Sequence, residues 1–217
     1  METVAIIQAR LGSTRFPRKV LADLFGRSVL EWVVDRVRRA QGVDRIVVAT
    51  CTRGGEEVHA ECRRIGAACW ISPREEDVLG RFVEVAERFR ADRVVRVCGD
   101  NPLLVPSGVD RLLAAIGPAD YAGYEVGGGA AILRPTGYFA EVAAAEALRR
   151  LDAMLPPGHR WREHVTQGLY QQPEVFRCVL VPAPGWYDGL EHAAVDLPED
   201  LEHVRRIALG LDSLAAG

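Results

Sequence analysis

Four cations lie in one short segment near the amino terminus of the 217-residue chain. The segment runs from Gln8 to Lys19 and contains Arg10, Arg15, Arg18 and Lys19, together with a glycine and two small hydroxyl residues. Guanidinium and ammonium groups beside exposed backbone N–H groups bind the oxygens of polyphosphates. This segment, called the basic loop below, therefore predicts a phosphate-binding loop. The alternative is a solvated basic turn without a ligand.

The basic loop matches neither of two common nucleotide-binding motifs. Counted from Gly12, a Walker A loop would have its second glycine where Pro17 stands. Its lysine would also be followed by a serine or threonine, whereas Val20 follows Lys19. The three-glycine pattern of dinucleotide-binding proteins is also absent from this segment of the sequence. Phosphate binding here must use a different arrangement.

Carboxylates form two further candidate groups. Asp100 follows an apolar run, and Asp196 precedes the last predicted helix. Mg²⁺ prefers one or two carboxylates combined with phosphate oxygens and waters, so Asp100 beside a phosphate-binding loop predicts a magnesium ligand. A tight turn is the alternative for Asp100, and capping of the following helix is the alternative for Asp196.

Alternating strands and helices would position these groups. Short apolar runs predict buried parallel strands, and apolar residues at helical spacing predict the helices between them. In the first half we expect strands at 4–7, 45–49, 68–71 and 93–97, and helices at 28–40, 56–65, 77–89 and 107–116. In the second half we expect strands at 131–133 and 176–181, and helices at 140–151, 162–170 and 198–209.

Repeated strand–helix units predict an α/β fold with a mostly parallel central sheet and helices on both faces. Ligands bind such sheets at the carboxyl ends of the strands. The basic loop and Asp100 each follow a strand, so we expect them to face the same crevice. A single domain over 1–217 is expected, with a nucleotide-binding half at 1–117 and an acceptor and dimerisation half at 118–217.

Composition excludes several other classes. A formal charge of −3 lacks the basic excess of a nucleic-acid binder, and 48% hydrophobic residues argue against a disordered chain. No apolar run in the sequence approaches the roughly 20 residues of a membrane span. Five scattered cysteines without a C-x-x-C pair indicate neither a disulfide framework nor a structural zinc site. A cytoplasmic protein is the expectation.

Five sequence blocks, in order, resemble those of the cytidylyltransferases that make CMP-activated acidic sugars for polysaccharide biosynthesis. The likeness is greatest to the SpsF-like branch, named for spore-coat polysaccharide synthesis. The blocks span nearly the whole chain and comprise residues 6–21, 76–82, 99–103, 162–166 and 195–200.

The resemblance implies a Rossmann-like nucleotidyltransferase fold that binds CTP and Mg²⁺, acts on a small acceptor and often forms a homodimer. Carried over by position, it implies catalytic roles for Arg15, Lys19 and Asp100, and metal binding by Asp100 and Asp196. The implied nucleotide-binding residues are Ala9, Arg10, Gly12, Ser13, Arg15, Lys19, Asp77 and Arg81.

The acceptor half departs from the family pattern. Phe139 replaces an aspartate, Trp161 replaces another, and His192 replaces an arginine, whereas Glu141 and Arg162 are retained. Glu141, Arg162 and His192 are the candidate acceptor-binding residues. His164 is the best candidate among the histidines, but a packing or surface role is favoured for it. The departures indicate an altered acceptor, and they leave open a catalytically silent nucleotide-binding subunit. A nucleotidyltransferase that uses another nucleoside triphosphate is a further alternative.

Overall fold

The first strand of the chain lies inside the central sheet, between two parallel neighbours.

A computed structural model describes residues 1–133, 136–187 and 191–215. The strands are β1 (Thr3–Gln8), β2 (Asp23–Leu24), β3 (Arg27–Ser28), β4 (Arg45–Cys51), β5 (Ala68–Ser72), β6 (Arg93–Cys98), β7 (Tyr121–Val126), β8 (Gly129–Ala130), β9 (Glu141–Ala144) and β10 (Cys178–Pro182). The α-helices are α1 (Val29–Arg38), α2 (Gly55–Arg64), α3 (Val78–Arg88), α4 (Pro106–Ala115), α5 (Ala145–Met154), α6 (Trp161–His164), α7 (Gln167–Tyr170) and α8 (Pro198–Ala215).

The main sheet has the strand order β10-β7-β9-β6-β1-β4-β5, with β8 paired to β7. Strands β6, β1, β4 and β5 are parallel, as are β10 and β7. Strand β9 is antiparallel to both β6 and β7 and joins the two parallel groups. The mostly parallel α/β fold expected from the sequence is confirmed.

Successive side chains of β1 enter two separate hydrophobic clusters because neighbouring residues of a strand face opposite sides of the sheet. Ala5 and Ile7 pack in the cluster that contains α1 and α4, whereas Val4 and Ile6 pack in the cluster that contains α3 and α5. A strand covered on both faces reads as a continuous apolar run, which is the pattern of the sequence here. In the described ranges, no helix is both long and apolar enough to cross a membrane.

The predicted helix at 140–151 was wrong in its first part. Glu141–Ala144 forms β9, and the helix begins only at Ala145. The segment is rich in alanine and glutamate, which favour helices, but pairing on both sides with β6 and β7 outweighs this preference. The predicted strand at 131–133 was also wrong, because these residues form a short 3₁₀ helix.

The predicted helix at 162–170 is divided in two. Val165 has a φ of +56° and a ψ of −68°, and the N–H of Thr166 donates to the carbonyl of His164 at 2.6 Å. This is a γ-turn with positive φ, which is strained for a β-branched residue. It ends α6 at His164 and lets α7 start in a new direction at Gln167.

Candidate active site

A cavity of about 500 Å³ opens at the carboxyl ends of β1 and β6, and we call it the large cavity. Its volume lies within the usual range for small-molecule and cofactor sites. Cationic side chains outnumber carboxylates in its wall. The cations are Arg10, Arg15, Lys19, Arg81 and Arg96, and the carboxylates are Asp100, Glu163 and Asp196.

The basic loop folds back on itself at the mouth of the large cavity. The N–H of Arg18 donates to the carbonyl of Leu11 at 3.1 Å, and the N–H of Phe16 donates to Ser13 Oγ at 3.3 Å. Arg18 takes a left-handed backbone conformation, with a φ of +63°, immediately before a 3₁₀ turn that begins at Lys19. This reversal separates the two neighbouring cations: Arg18 pairs with Glu57, and Lys19 lines the cavity.

The ammonium group of Lys19 joins two carboxylates that are far apart in the chain. Its Nζ lies 2.5 Å from Asp100 Oδ2 and 2.8 Å from Asp196 Oδ1, and Arg15 Nη2 lies 2.9 Å from the same Asp196 oxygen. Burial alone would lower the pKa of Lys19, but the two carboxylates raise it above its usual value. Burial would raise the pKa of Asp196, but Lys19 and Arg15 lower it. The two carboxylates thus converge on one cation.

Backbone contacts hold the two carboxylates together. The N–H of Val195 donates to the carbonyl of Asp100 at 2.8 Å, so the segment before α8 lies against the turn after β6. Asp200 Oδ2 accepts from the backbone N–H groups of Asp196 at 2.8 Å and Leu197 at 2.7 Å. A carboxylate in the first turn of a helix that accepts from the N-cap N–H is half of a capping box. The capping expected near this helix is therefore made by Asp200, and it fixes the backbone that carries Asp196.

Arg81 is a buried cation in the wall of the large cavity, with only 2% of its surface exposed. Its Nε and Nη1 have no hydrogen-bond partner among the described residues. Burial lowers the pKa of Arg81, although an arginine side chain stays charged in proteins. Buried donors without partners are costly, and because both atoms are almost inaccessible, a ligand acceptor would reach them only after a small shift of the side chain.

Arg96 is a second buried cation, and sequence reasoning missed it. It forms an ion pair with Glu141, which also accepts from Tyr121 Oη at 2.6 Å and Thr166 Oγ1 at 2.9 Å. Glu141 is 2% exposed. Glu141 is not among the described residues that line the two cavities, and it contacts Arg96, which does line the large one, so acceptor binding by Glu141 stays a prediction. The available signal was a single arginine inside the apolar run 94–98.

The block 162–166 contributes to the site through other residues than expected. Glu163 and His164 line the large cavity, and Glu163 Oε1 lies 3.2 Å from Arg10 Nη2 across its mouth. The γ-turn at Val165 ends the helix there. For His164, which sequence reasoning treated as a packing residue, the structure shows a place in the cavity wall.

Arg162 is buried behind this wall. It donates to both oxygens of Asp77 at 2.8 and 2.9 Å, to the carbonyls of Asp152 and Leu155, and to the Asp152 carboxylate. These bonds occupy all three of its guanidinium nitrogens, so acceptor binding by Arg162, which stays a prediction, would have to replace one of them. Asp77 in turn caps α3, accepting from the N–H of Gly80 at 3.0 Å. The structure therefore places Asp77 at the start of the helix that carries Arg81.

A second cavity of about 130 Å³, the small cavity, adjoins the first, and Asp100 and Asp196 line both. Phe139 forms part of its wall and contacts Tyr124 and Tyr187, with ring centroids 4.6 and 4.8 Å apart and ring planes tilted by 34° and 40°. His192 lies near enough to contribute to the lowered pKa of Asp196. Tyr124 itself is a core residue whose hydroxyl donates to the carbonyl of Gly108.

The remaining nucleotide-binding candidates lie together. Ala9, Gly12 and Ser13 line the large cavity with the cations of the basic loop. A Cβ built on Gly12 would meet no atom within 4 Å, so packing within the chain does not require a glycine there. The strand-end residue Gln8, which sequence reasoning did not single out, also lines the cavity.

Comparisons with known proteins give relatives in sequence and in fold. A sequence model described as cytidylyltransferase matches residues 4–188. The spore coat polysaccharide biosynthesis protein SpsF of Bacillus subtilis is 30% identical over 93% of this chain and 84% of its own length.

Two solved structures share the fold. A cytidylyltransferase from Leptospira borgpetersenii superposes with a TM-score of 0.83 at 22% identity, covering 94% of this chain and 85% of its own. A CMP:2-keto-3-deoxy-manno-octonic acid synthetase complexed with CTP superposes with a TM-score of 0.74 at 20% identity, covering 97% of this chain and 99% of its own.

Proposed function

We propose that this chain, which belongs to the cytidylyltransferase family, transfers CMP from CTP to an acidic sugar or a similar small acceptor and releases pyrophosphate. The observation that carries the proposal is the contact of Lys19 with both Asp100 and Asp196 at the edge of a cationic cavity. A cation-rich wall fits a triphosphate, and two converging carboxylates fit a divalent metal.

The triphosphate would lie against the basic loop. Arg10, Arg15 and Lys19 supply cations, and Ser13 and the backbone at Ala9 and Gly12 supply polar groups beside them. The open space above Gly12 allows a ligand to approach the backbone closely. Cations placed where charge grows on the leaving pyrophosphate lower the barrier to transfer.

The cytosine ring would complete the wall at Arg81. Cytosine has two adjacent acceptors, its O2 and N3, and the guanidinium of Arg81 has two donor nitrogens without partners in the described structure. Nε and Nη1 lie on different edges of the planar guanidinium, so one of them would donate to O2 or N3 of the base. Asp77 would contribute indirectly, because it caps helix α3 and so helps to position Arg81 on that helix.

Asp100 and Asp196 would hold Mg²⁺. In the described part of the chain no cluster of three or more His, Cys, Asp or Glu side chains is arranged for a metal ion. A site of two carboxylates is what Mg²⁺ uses when phosphate oxygens and waters complete its shell, so the donor set fits. Bound Mg²⁺ would neutralise charge on the phosphate oxygens of the substrate.

The transfer of CMP from CTP to the acceptor needs no covalent enzyme intermediate. An acceptor oxygen forms a bond to the α-phosphorus of CTP, and the bond from that phosphorus to the α,β-bridging oxygen breaks. Pyrophosphate leaves with the electron pair, and the acceptor proton passes to solvent. Such reactions depend chiefly on positioning and electrostatic stabilisation, which the described side chains can supply.

A nucleotide panel tests the proposal. With Mg²⁺ present, CTP should raise the Tm more than ATP, GTP or UTP, because a ligand that binds only the folded state stabilises it. Pyrophosphate release with candidate acceptors should then require both CTP and Mg²⁺. Equal shifts for all four nucleotides would favour another nucleotide specificity. A CTP shift without release in any acceptor mixture would favour the catalytically silent subunit, which the Phe139 and His192 departures leave open. Size measurement in solution would test the proposed homodimer.

A further inference from the structure

We infer that Glu163 selects the base of the nucleotide by accepting a hydrogen bond from the exocyclic amino group of cytosine. The inference rests on the proposed function and deepens it, because it names a residue that distinguishes CTP from other pyrimidine nucleotides. It comes from the pairing of Glu163 with Arg10, from the contact between α6 and α3, and from the hydrogen-bonding groups of cytosine.

Glu163 differs from the other carboxylates in the wall of the large cavity. Among the described residues of that wall, Asp100 and Asp196 contact Lys19, whereas Glu163 contacts Arg10. The distance from Glu163 Oε1 to Arg10 Nη2 is 3.2 Å, and both side chains are about half exposed. A carboxylate close to a triphosphate would repel it unless a metal ion lay between them. The complement of Glu163 on a nucleotide is therefore a hydrogen-bond donor away from the phosphates.

An ion pair between α6 and α3 positions Glu163 relative to Arg81. Glu163 follows Arg162 in α6, and Arg162 donates to both carboxylate oxygens of Asp77 at 2.8 and 2.9 Å. The carbonyl of Asp77 accepts from the N–H of Arg81 at 3.2 Å, one turn into α3. Two charge-assisted hydrogen bonds to one planar group fix its orientation as well as its distance. The ion pair therefore joins the main chain that carries Glu163 to the helix that carries Arg81.

The neighbours of Glu163 suit a pyrimidine base. Val78, the first residue of α3, is buried and lines the large cavity together with Arg81, so it offers an apolar surface to a ring. Burial lowers the pKa of Arg81, and the nearby charge of Arg10 lowers it further. Arg10, the partner of Glu163, therefore also lies near Arg81. These four residues form one group in the wall, and Lys19 with its two carboxylates forms another.

Cytosine and uracil present opposite hydrogen-bonding groups to such a site. Cytosine has a donor at its amino group where uracil has an acceptor, O4, and the two bases are also reversed at N3. A carboxylate only accepts and a guanidinium only donates, so Glu163 at the amino group and Arg81 at O2 or N3 would favour cytosine. Both oxygens of a carboxylate accept, so Oε1 can stay paired with Arg10 while Oε2 binds the base.

The main chain on both sides of Glu163 is held by other contacts. Arg162 is held by the bonds to Asp77, and the strained γ-turn at Val165 follows α6 directly. After that turn, Thr166 Oγ1 donates to the buried carboxylate of Glu141 at 2.9 Å. Strained turns persist where the surroundings hold them, and they cluster at functional sites. These contacts preorganise a carboxylate at the mouth of the large cavity, which lowers the entropy cost of binding a ligand there.

Three nucleotides that differ only in the base test the inference. CTP, UTP and the triphosphate of pyrimidin-2-one riboside are titrated calorimetrically into the protein with Mg²⁺ and without an acceptor. Pyrimidin-2-one keeps the O2 and N3 acceptors of cytosine and lacks only its amino group. We expect the wild type to bind CTP about tenfold or more tightly than either of the other two nucleotides.

Glu163→Met removes the carboxylate. The Kd for CTP should rise about tenfold or more relative to that for the pyrimidin-2-one nucleotide. A change in the position of Arg10 would weaken both nucleotides alike and cancel in this ratio. Glu57→Met is the matched control, because Glu57 pairs with another cation of the basic loop, Arg18, and is not among the described residues that line the large cavity. The control should leave the ratio unchanged.

Glu163→Gln separates the hydrogen bond from the charge while keeping the shape of the side chain. The amide oxygen can still accept from the amino group of cytosine, and the amide nitrogen can donate to O4 of uracil. We therefore expect Glu163→Gln to keep part of the preference for CTP over the pyrimidin-2-one nucleotide. Its preference for CTP over UTP should fall about tenfold.

The remaining outcomes count against the inference or against the proposed function. Equal binding of CTP and the pyrimidin-2-one nucleotide by the wild type would overturn the inference. A preference that Glu163→Met leaves unchanged, including an equal loss of affinity for all three nucleotides, would also overturn it, while CTP binding stands. Failure of the wild type to bind CTP would overturn the proposed function itself.

Discussion

Arg162 holds both carboxylate oxygens of Asp77, through Nε at 2.8 Å and Nη2 at 2.9 Å. Because Asp77 caps α3, this pair joins α6 to the helix that carries Arg81. The contact explains how Asp77 and Arg162, which belong to two of the five sequence blocks, contribute to the site without lining the large cavity.

Loss of the Arg162 pair should destabilise the fold. Arg162→Met leaves Asp77 and Asp152 without their buried partner, and we expect the free energy of unfolding to fall by about 2–3 kcal/mol, less than for a fully buried pair because Asp77 is partly exposed. Urea denaturation at pH 7 measures it. Arg149→Met, which breaks an exposed pair within α5, is the control and should change stability by about 0–1 kcal/mol. Equal effects of the two substitutions would contradict the structural role.

The same pair should make stability depend on pH. Burial would raise the pKa of Asp77, but Arg162, the N–H of Gly80 and Arg74 lower it below its ordinary value of 3.8. A carboxyl group with a lowered pKa in the folded state stabilises the fold above its ordinary pKa, and this contribution is lost as the pH falls through the lowered value. The difference in stability between the wild type and Arg162→Met should therefore shrink between pH 7 and pH 3. A difference that stays constant over this range would assign the effect to packing alone.

Replacement of Arg81 should weaken nucleotide binding without loss of stability. Arg81→Met removes a buried charge with unpaired donors, so we expect the free energy of unfolding to stay the same or rise by about 1–2 kcal/mol. The Kd for CTP should rise about 10- to 100-fold, because hydrogen bonds from a charged donor are lost. Calorimetry and urea denaturation measure the two effects. Arg88→Met, at the exposed end of the same helix, should leave both unchanged. A less stable protein that binds CTP normally would disprove the proposed base contact.

Asp100→Asn should abolish Mg²⁺-dependent release of pyrophosphate. The substitution keeps the backbone carbonyl that accepts from Val195, so the fold should remain intact by circular dichroism. Loss of a metal carboxylate should lower kcat by at least about 100-fold. Asp23→Asn, an exposed residue that contacts Arg205, is the matched control. Turnover at the wild-type rate would exclude Asp100 from the reaction.

Asp200 should act as a positioning residue for Asp196. Asp200→Asn weakens two hydrogen bonds to the backbone around Asp196, so the Mg²⁺ concentration for half-maximal activity should rise about 10- to 100-fold. Titration of Mn²⁺ followed by electron paramagnetic resonance should show the same shift in the absence of acceptor. Glu199→Gln, its neighbour in the first turn, should change neither value. If Asp200→Asn lowered stability by about 1 kcal/mol and left metal affinity unchanged, Asp200 would act only as a helix cap.

The sequence predicted the parallel core because its strands are apolar on both faces and its helices carry regular apolar spacing. It also predicted that Lys19 and Asp100 would meet, since both follow strands that end at one edge of the sheet. Strand β9 could not be predicted locally, because only its two neighbours in the sheet outweigh the helical preference of an alanine-rich segment. The roles of Glu141 and Arg162 depended on which charged groups would be buried together, which spacing along the chain does not show.

Gly137 fixes the distance between the two main-chain segments beside the small cavity. A Cβ at this position would lie 2.4 Å from the nitrogen of Ala194 and 2.5 Å from the carbonyl carbon of Ala193, and its φ is +85°. Any larger residue would push away the segment that leads to Asp196 and so disturb the reacting groups. Substitutions of side chains around the small cavity can therefore change its shape, while the main chain at Gly137 has no room for change.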